Sequence, residues 1–198
     1  MESSLELIKI ALLKKRVILV DESISHEFMD WVKREIHLMV NNDSKKDIYL
    51  LIDTFGGKSN AGLVGRDLLK AIPVKSIGIV NGACKSTGLE LLSGCSEKLS
   101  LPNSKFFFHY INYSNSIKEE FNFEEGAQEL KNDFNNYKLA YYEAYQDGFG
   151  LTAKQIKKLT ETGEKYSRHY SAQEMLKLGV IDKIITNLPF YFPEKKKK

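Results

Sequence analysis

The strongest constraint on the fold is a motif that occurs twice: a continuous apolar run, a small-residue loop, then a helical pattern. Residues 48–52, IYLLI, run into Asp53-Thr-Phe-Gly-Gly57, and Leu63, Leu68, Leu69 and Ile72 follow at helical spacing up to Pro73. Residues 76–80 are again apolar and lead through Asn81-Gly-Ala-Cys-Lys-Ser-Thr-Gly88 into Leu89, Leu91 and Leu92. Apolar runs without alternation suit strands covered on both faces. Strands that alternate with helices build βαβ units and a mostly parallel sheet. Ligand chemistry in such sheets collects at the carboxyl ends of the strands, where both Gly56-Gly57 and residues 82–86 fall.

The rest of the chain extends this plan. Residues 5–13 have helical spacing and 17–20 read as a short strand. Asp21 and Ser23 offer caps for a helix with Ile24, Phe28, Trp31, Val32, Ile36 and Met39 on one face. Two strands are expected at 99–101 and 106–111, around the Pro102-Asn103 turn. From 124 to 146, Ala127, Leu130, Phe134, Tyr137, Tyr141 and Ala144 recur at steps of three and four, a coiled-coil-like stripe. Such a helix either projects onto another subunit or lies across its own core, and Gly148-Phe-Gly150 is expected to end it. Helical segments at 152–160 and 171–178 and a strand at 180–185 complete one expected domain, 1–194. The Lys-rich tail, 195–198, lies beyond it.

Several function classes are excluded at this stage. A net charge of +3 over 198 residues is too small to argue for nucleic acid. No segment is apolar enough for a signal peptide or a membrane span. Two cysteines, Cys84 and Cys95, make no disulfide framework, which suits a reducing compartment. The histidines His26, His37, His109 and His169 are scattered and no CxxC occurs, so no metal or cofactor is expected. The expectation is a cytoplasmic protein without nucleic-acid or membrane partners.

Ser86 poses the functional question. A Ser hydroxyl becomes a nucleophile only when a base removes its proton and donors receive the oxyanion. A strand-to-helix turn supplies exposure and free N–H groups, but a Ser there equally serves as a helix cap. Gly56-Gly57 could present backbone N–H groups to an oxyanion. His109, near the end of an apolar strand, is either a base or a hydrogen-bonded core residue.

Four segments, in order, resemble the proteolytic subunit of the Clp protease, a ClpP-type serine peptidase. DIYLLIDTFGG resembles that family's D-I-Y-L-x-I-N-S-P-G-G, and GACKSTG its G-M-A-A-S-M-G. LPNSKFFFH resembles its L-P-N-S/A-x-x-M-I-H, and SAQEMLKLGVIDKI its S/T-A-x-E-A-x-x-x-G-L-I-D-x-I. The resemblance spans about residues 5–185. It implies a ClpP/crotonase-like α/β spiral of βαβ units with a handle at about 112–148. It implies Ser86 as nucleophile and His109 as base, with the N–H groups of Gly56 and Thr87 as the oxyanion hole. It further implies polypeptide substrates, a homo-oligomer of two stacked heptameric rings, and an AAA+ ATPase partner.

The sequence departs from the family at the third catalytic position. Counting back from Ser171-Ala172, the expected Asp is Ser167; counting forward from the preceding helix, it is Gly163, beside Glu164. Glu164 is the candidate carboxylate, and losing such a group lowers activity by about four orders of magnitude. Phe55 stands in place of a Pro, Lys85 in place of a small residue, and Glu90 in place of a Phe. Two alternatives stay open: a catalytically impaired structural subunit, and a crotonase-type acyl-CoA enzyme.

Overall fold

The computed structural model describes residues 4–109 and 123–191, without the side chains of 123–131, 133, 134 and 164. Helix α1 (Ser4–Leu13) leads to β1 (Val17–Val20), α2 (His26–Asn42), β2 (Ile48–Thr54), α3 (Ser59–Ala71) and β3 (Ser76–Lys85). Then come α4 (Thr87–Ser93), β4 (Glu97–Ser100), β5 (Lys105–Phe107) and the long α5 (Phe123–Phe149). Helix α6 (Ala153–Tyr166), β6 (Tyr170–Ser171), α7 (Ala172–Leu178) and β7 (Lys183–Ile184) follow.

The sheet runs β1-β2-β3-β4-β7, all parallel, as the alternation of apolar runs and helices requires. Beyond β4 the end of β3 takes a second parallel partner, β5, with Lys85 opposite Phe107, and β6 lies antiparallel to β5. β3 therefore reaches Lys85, five residues past the apolar run that announced it. β5 is shorter than expected: it ends at Phe107, so residues 108 and 109 leave the ladder, and the last two expected positions, 110–111, lie outside the described residues.

Local chemistry sets the element ends. Ser25, not Asp21 or Ser23, caps α2, its Oγ accepting from Phe28 N at 3.1 Å. Ile24 cannot join that helix because it bridges to Gly57 in the sheet. Capping boxes open α6 (Thr152 with Gln155) and α7 (Ser171 with Glu174). Arg16 closes the other end of α2: its guanidinium donates to the carbonyls of Met39, Asp43, Lys46 and Asp47. Cations are favoured there by the negative end of the helix dipole.

One face of the sheet packs Ile18, Val20, Leu50, Ile52 and Val80 against α2, α3 and α4. The other buries Val17, Leu51, Ile77, Ile79 and Leu99 under Leu12 of α1. The C-terminal part of α5 belongs to the first core: Tyr141, Ala144, Tyr145 and Phe149 are buried in it. On this stretch the stripe lies across its own core. Leu139 is exposed, and Ala127, Leu130 and Phe134 lie outside the described side chains. α5 continues through Gly148 and stops at Gly150, whose φ of +67° is the left-handed state that glycine adopts without strain.

Candidate active site

The site is built where β2 and β3 end side by side. β3 carries small residues here for a reason: the Asp53 carboxylate occupies the space that a side chain at Gly82 would need. Its Oδ1 accepts from Ala83 N at 2.7 Å. The backbone then reverses at Ser86, with φ 50° and ψ −123°. That region is nearly closed to residues with a side chain and stores on the order of 1–3 kcal/mol. Its N–H donates to Phe107 O at 3.0 Å and its carbonyl accepts from Leu89 N at 2.8 Å. Ser86 stands at the N-cap position of α4 yet makes no side-chain capping bond. The capping alternative is therefore wrong: the turn presents the hydroxyl instead of using it.

The first turn seats directly against the second. Gly56 has φ +100°, and a Cβ there would lie 2.8 Å from both Lys85 O and Ser86 Cβ and 3.1 Å from Thr87 N. Glycine is required by conformation and by space. Of the two expected oxyanion donors, Thr87 N–H has no backbone acceptor among the described residues, and Thr87 Oγ1 donates to Gly57 O at 3.1 Å. Gly56 N–H donates to Thr54 Oγ1 at 3.1 Å, and that hydroxyl in turn donates to Glu22 O at 2.7 Å. One donor is open and the other is engaged.

His109 follows β5 two residues after Phe107, which pairs with Lys85, so the ladder brings the segment 107–109 beside the Ser86 turn. Its half-buried imidazole stacks on the Phe107 ring, with centroids 5.6 Å apart. Two neighbours pin this backbone. Tyr141 of α5 donates its hydroxyl to His109 O at 3.1 Å, and Gly163 of α6 lies flat on Phe108 O, where any Cβ would collide. Among the described residues no hydrogen bond reaches the imidazole. The β3–β5 ladder puts the segments that carry Ser86 and His109 side by side, and among the described residues no hydrogen bond joins Ser86 Oγ to the imidazole.

Among the described residues no third member is assembled. Gly163 cannot be the carboxylate position, because the Phe108 carbonyl leaves no room for a side chain. Ser167 is exposed at the C-terminus of α6 in a left-handed conformation (φ 46°, ψ 40°) and makes no bond to His109. The Glu164 backbone is in α6, while its side chain lies outside the described residues.

Three features near the turn escaped the sequence reading in whole or in part. Lys85 Nζ sits 4.0 Å over the Phe55 ring, bridging the two turns by a cation–π contact. His169 lies on Phe107 at 5.2 Å, so the ring contacts two histidines. Glu90, one turn beyond Ser86, is 1% exposed and its Oε2 has no hydrogen-bond partner among the described residues. Burial pushes its carboxyl up to about 8, with only a Ser59 side-chain hydrogen bond opposing the shift. The departures at Phe55, Lys85 and Glu90 gave a signal in advance; the place of His169 gave none. Cys84 and Cys95 are buried and free. Among the described residues no metal-ligating group of three occurs and no helix is long and apolar enough to cross a membrane.

A mostly parallel sheet flanked by helices, with a strained serine at one strand end and a histidine just past its neighbour's end, is consistent with the fold of the ClpP-type serine peptidases. The family model described as Clp protease matches residues 2–188, and the chain belongs to that family, one of serine-type endopeptidases. Similar proteins agree. The chain is 27% identical over 182 residues to an ATP-dependent Clp protease proteolytic subunit 2 of Thermobifida fusca, covering 90% of this chain and 84% of that one. It is 28% identical over 181 residues to the ATP-dependent Clp protease proteolytic subunit of Streptococcus suis, covering 89% and 87%. It is 26% identical over 179 residues to subunit 3 of a Synechococcus strain, covering 87% and 84%.

Proposed function

We propose that Ser86 attacks the peptide carbonyl, with His109 taking its proton and returning it to the leaving amine. An acyl-enzyme forms on Oγ, and water activated by the same imidazole releases it. Thr87 N–H, joined by Gly56 N–H as it turns from Thr54 Oγ1, receives the oxyanion. The observation that carries this reading is the Ser86 backbone: a left-handed turn holds an uncapped hydroxyl beside an open N–H. A rotation of the imidazole off Phe107 completes the Ser–His contact; the Lys85–Phe107 pairing and the Tyr141 bond to His109 O support this arrangement.

The substrates are polypeptides, and the chain acts as a single domain, 1–194, in the cytoplasm. It assembles into a homo-oligomer, two stacked heptameric rings joined through the 112–148 handle, and works with an AAA+ ATPase. The full-length family match and the relatives named as ATP-dependent proteolytic subunits support this part of the reading. A second reading, a structural subunit of low activity, is favoured by the unbonded imidazole and by Ser167 in the aligned carboxylate position.

Treatment of the purified chain with a fluorophosphonate decides between them. Mass gain on Ser86, lost in Ser86→Ala and slowed by about two to four orders of magnitude in His109→Ala, is the expected result. An assembled oligomer that takes no label overturns the mechanism and leaves the structural role.

A further inference from the structure

Among the described residues the Ser86 turn carries a positive edge without a counter-ion. Lys85 immediately precedes Ser86, and its ammonium rests on the exposed face of Phe55. An aromatic face attracts a cation but contributes no net charge, so the positive potential persists at the mouth of the turn. Lys105 stands two residues before Phe107 on the paired strand. The charges of Lys85 and Lys105 both bear on His169, which lies against Phe107. Among the described residues none of these three groups has an ion pair. Among the described residues Asp53 accepts from Ala83 N, and Glu174 holds Arg168 and the Ser171 cap.

A substrate peptide crossing Ser86 must pass this edge. Among the described residues neither lysine has a carboxylate partner, and the Phe55 contact of Lys85 holds its ammonium in place without compensating its charge. A peptide carboxylate supplies the missing counter-charge. We infer that Lys85, with Lys105 beside it, makes the site select peptides bearing an acidic side chain next to the scissile bond. This rests on Ser86 being the nucleophile around which the peptide lies. At such partly solvated positions a single charge pair changes affinity by about threefold to tenfold at low salt and less when screened.

The test uses the full-length Ser86→Ala protein, which binds without turnover, and fluorescein-labelled peptides in which a single Glu or Gln is walked through every position. Fluorescence anisotropy should show Glu bound about threefold to tenfold more tightly than Gln at one position or more, the ratio falling as salt rises. Lys85→Gln should bring the ratio close to one, Lys85→Arg should keep it, and Lys105→Gln should trim it. Equal binding of Glu and Gln peptides throughout, a ratio that survives Lys85→Gln, or no peptide binding at all overturns the inference. Fluorophosphonate labelling of the unmutated chain separates the two layers. An acidic preference without a Ser86 adduct sinks the nucleophile alone, whereas an adduct without the preference sinks only the selectivity.

Discussion

The two strand-to-helix turns at the site are neighbours with opposite characters. In the β2–α3 turn almost every polar group is satisfied. Thr54 Oγ1 links Glu22 O to Gly56 N, Gly56 O accepts from Ile24 N at 2.9 Å, and Lys58 N returns to Ile24 O at 2.8 Å. Among the described residues the β3–α4 turn leaves its side-chain hydroxyl and first helical N–H open, its backbone is strained, and Lys85 has no ion pair. A buried carboxyl sits one helical turn behind. The contrast shows a division of labour: the first turn is a rigid seat, and strain with unmet hydrogen-bonding capacity is confined to the turn that meets substrate.

The largest effect that would sharpen this contrast comes from Glu90. Its carboxyl titrates near 8 in the folded chain against about 4.5 unfolded, so the folded state holds the extra proton. That stabilising contribution is complete below the unfolded value and is lost as pH rises through the folded one. Glu90→Gln should therefore be more stable than the parent above pH 8 by on the order of 3–5 kcal/mol, with little difference near pH 4. Urea midpoints at a series of pH values measure it, and parallel curves would show that the carboxyl is not confined.

Gly56→Ala attacks the seat itself. The added methyl meets Lys85 O and Ser86 Cβ at 2.8 Å and adopts an unfavourable φ. A loss of about 2–4 kcal/mol is expected by thermal or chemical unfolding, together with a fall in Ser86 labelling. A neutral result would mean that the turns are not in contact. The smallest effect has the opposite sign. Ser86→Gly should raise stability by about 1 kcal/mol while abolishing the adduct, because glycine accepts φ 50° without strain. If it destabilises, the strain is absent and the contrast between the turns fails.

Much of this fold was legible because buried parallel strands announce themselves as unbroken apolar runs. Residues 17–20 and the βαβ succession through 48–92 are where periodicity put them. The last five residues of β3 were not, since Gly82 and Ala83 look like a loop until β5 arrives to pair with them. The cap of α2 moved to Ser25 because Ile24 is held by Gly57, a contact between residues 33 positions apart that no local pattern encodes. At the site, the serine turn and His109 were readable from motif order. The engagement of Gly56 N–H by Thr54, the Lys85–Phe55 bridge and the place of His169 depend on tertiary approach. The choice between Gly163 and Ser167 also needed the third dimension, because only the Phe108 carbonyl forbids a side chain at 163.

That flat contact at Gly163 fixes the reading frame of α6 against the strand that leads to His109. A one-residue insertion or deletion earlier in the helix would bring Thr162 or Glu164 against the carbonyl and lift the helix away. Changes in chain length should accumulate after Tyr166, where the chain has left the helix and is exposed. In this way one hydrogen atom in place of a side chain acts as a ruler, permitting drift on one side of itself and forbidding it on the other.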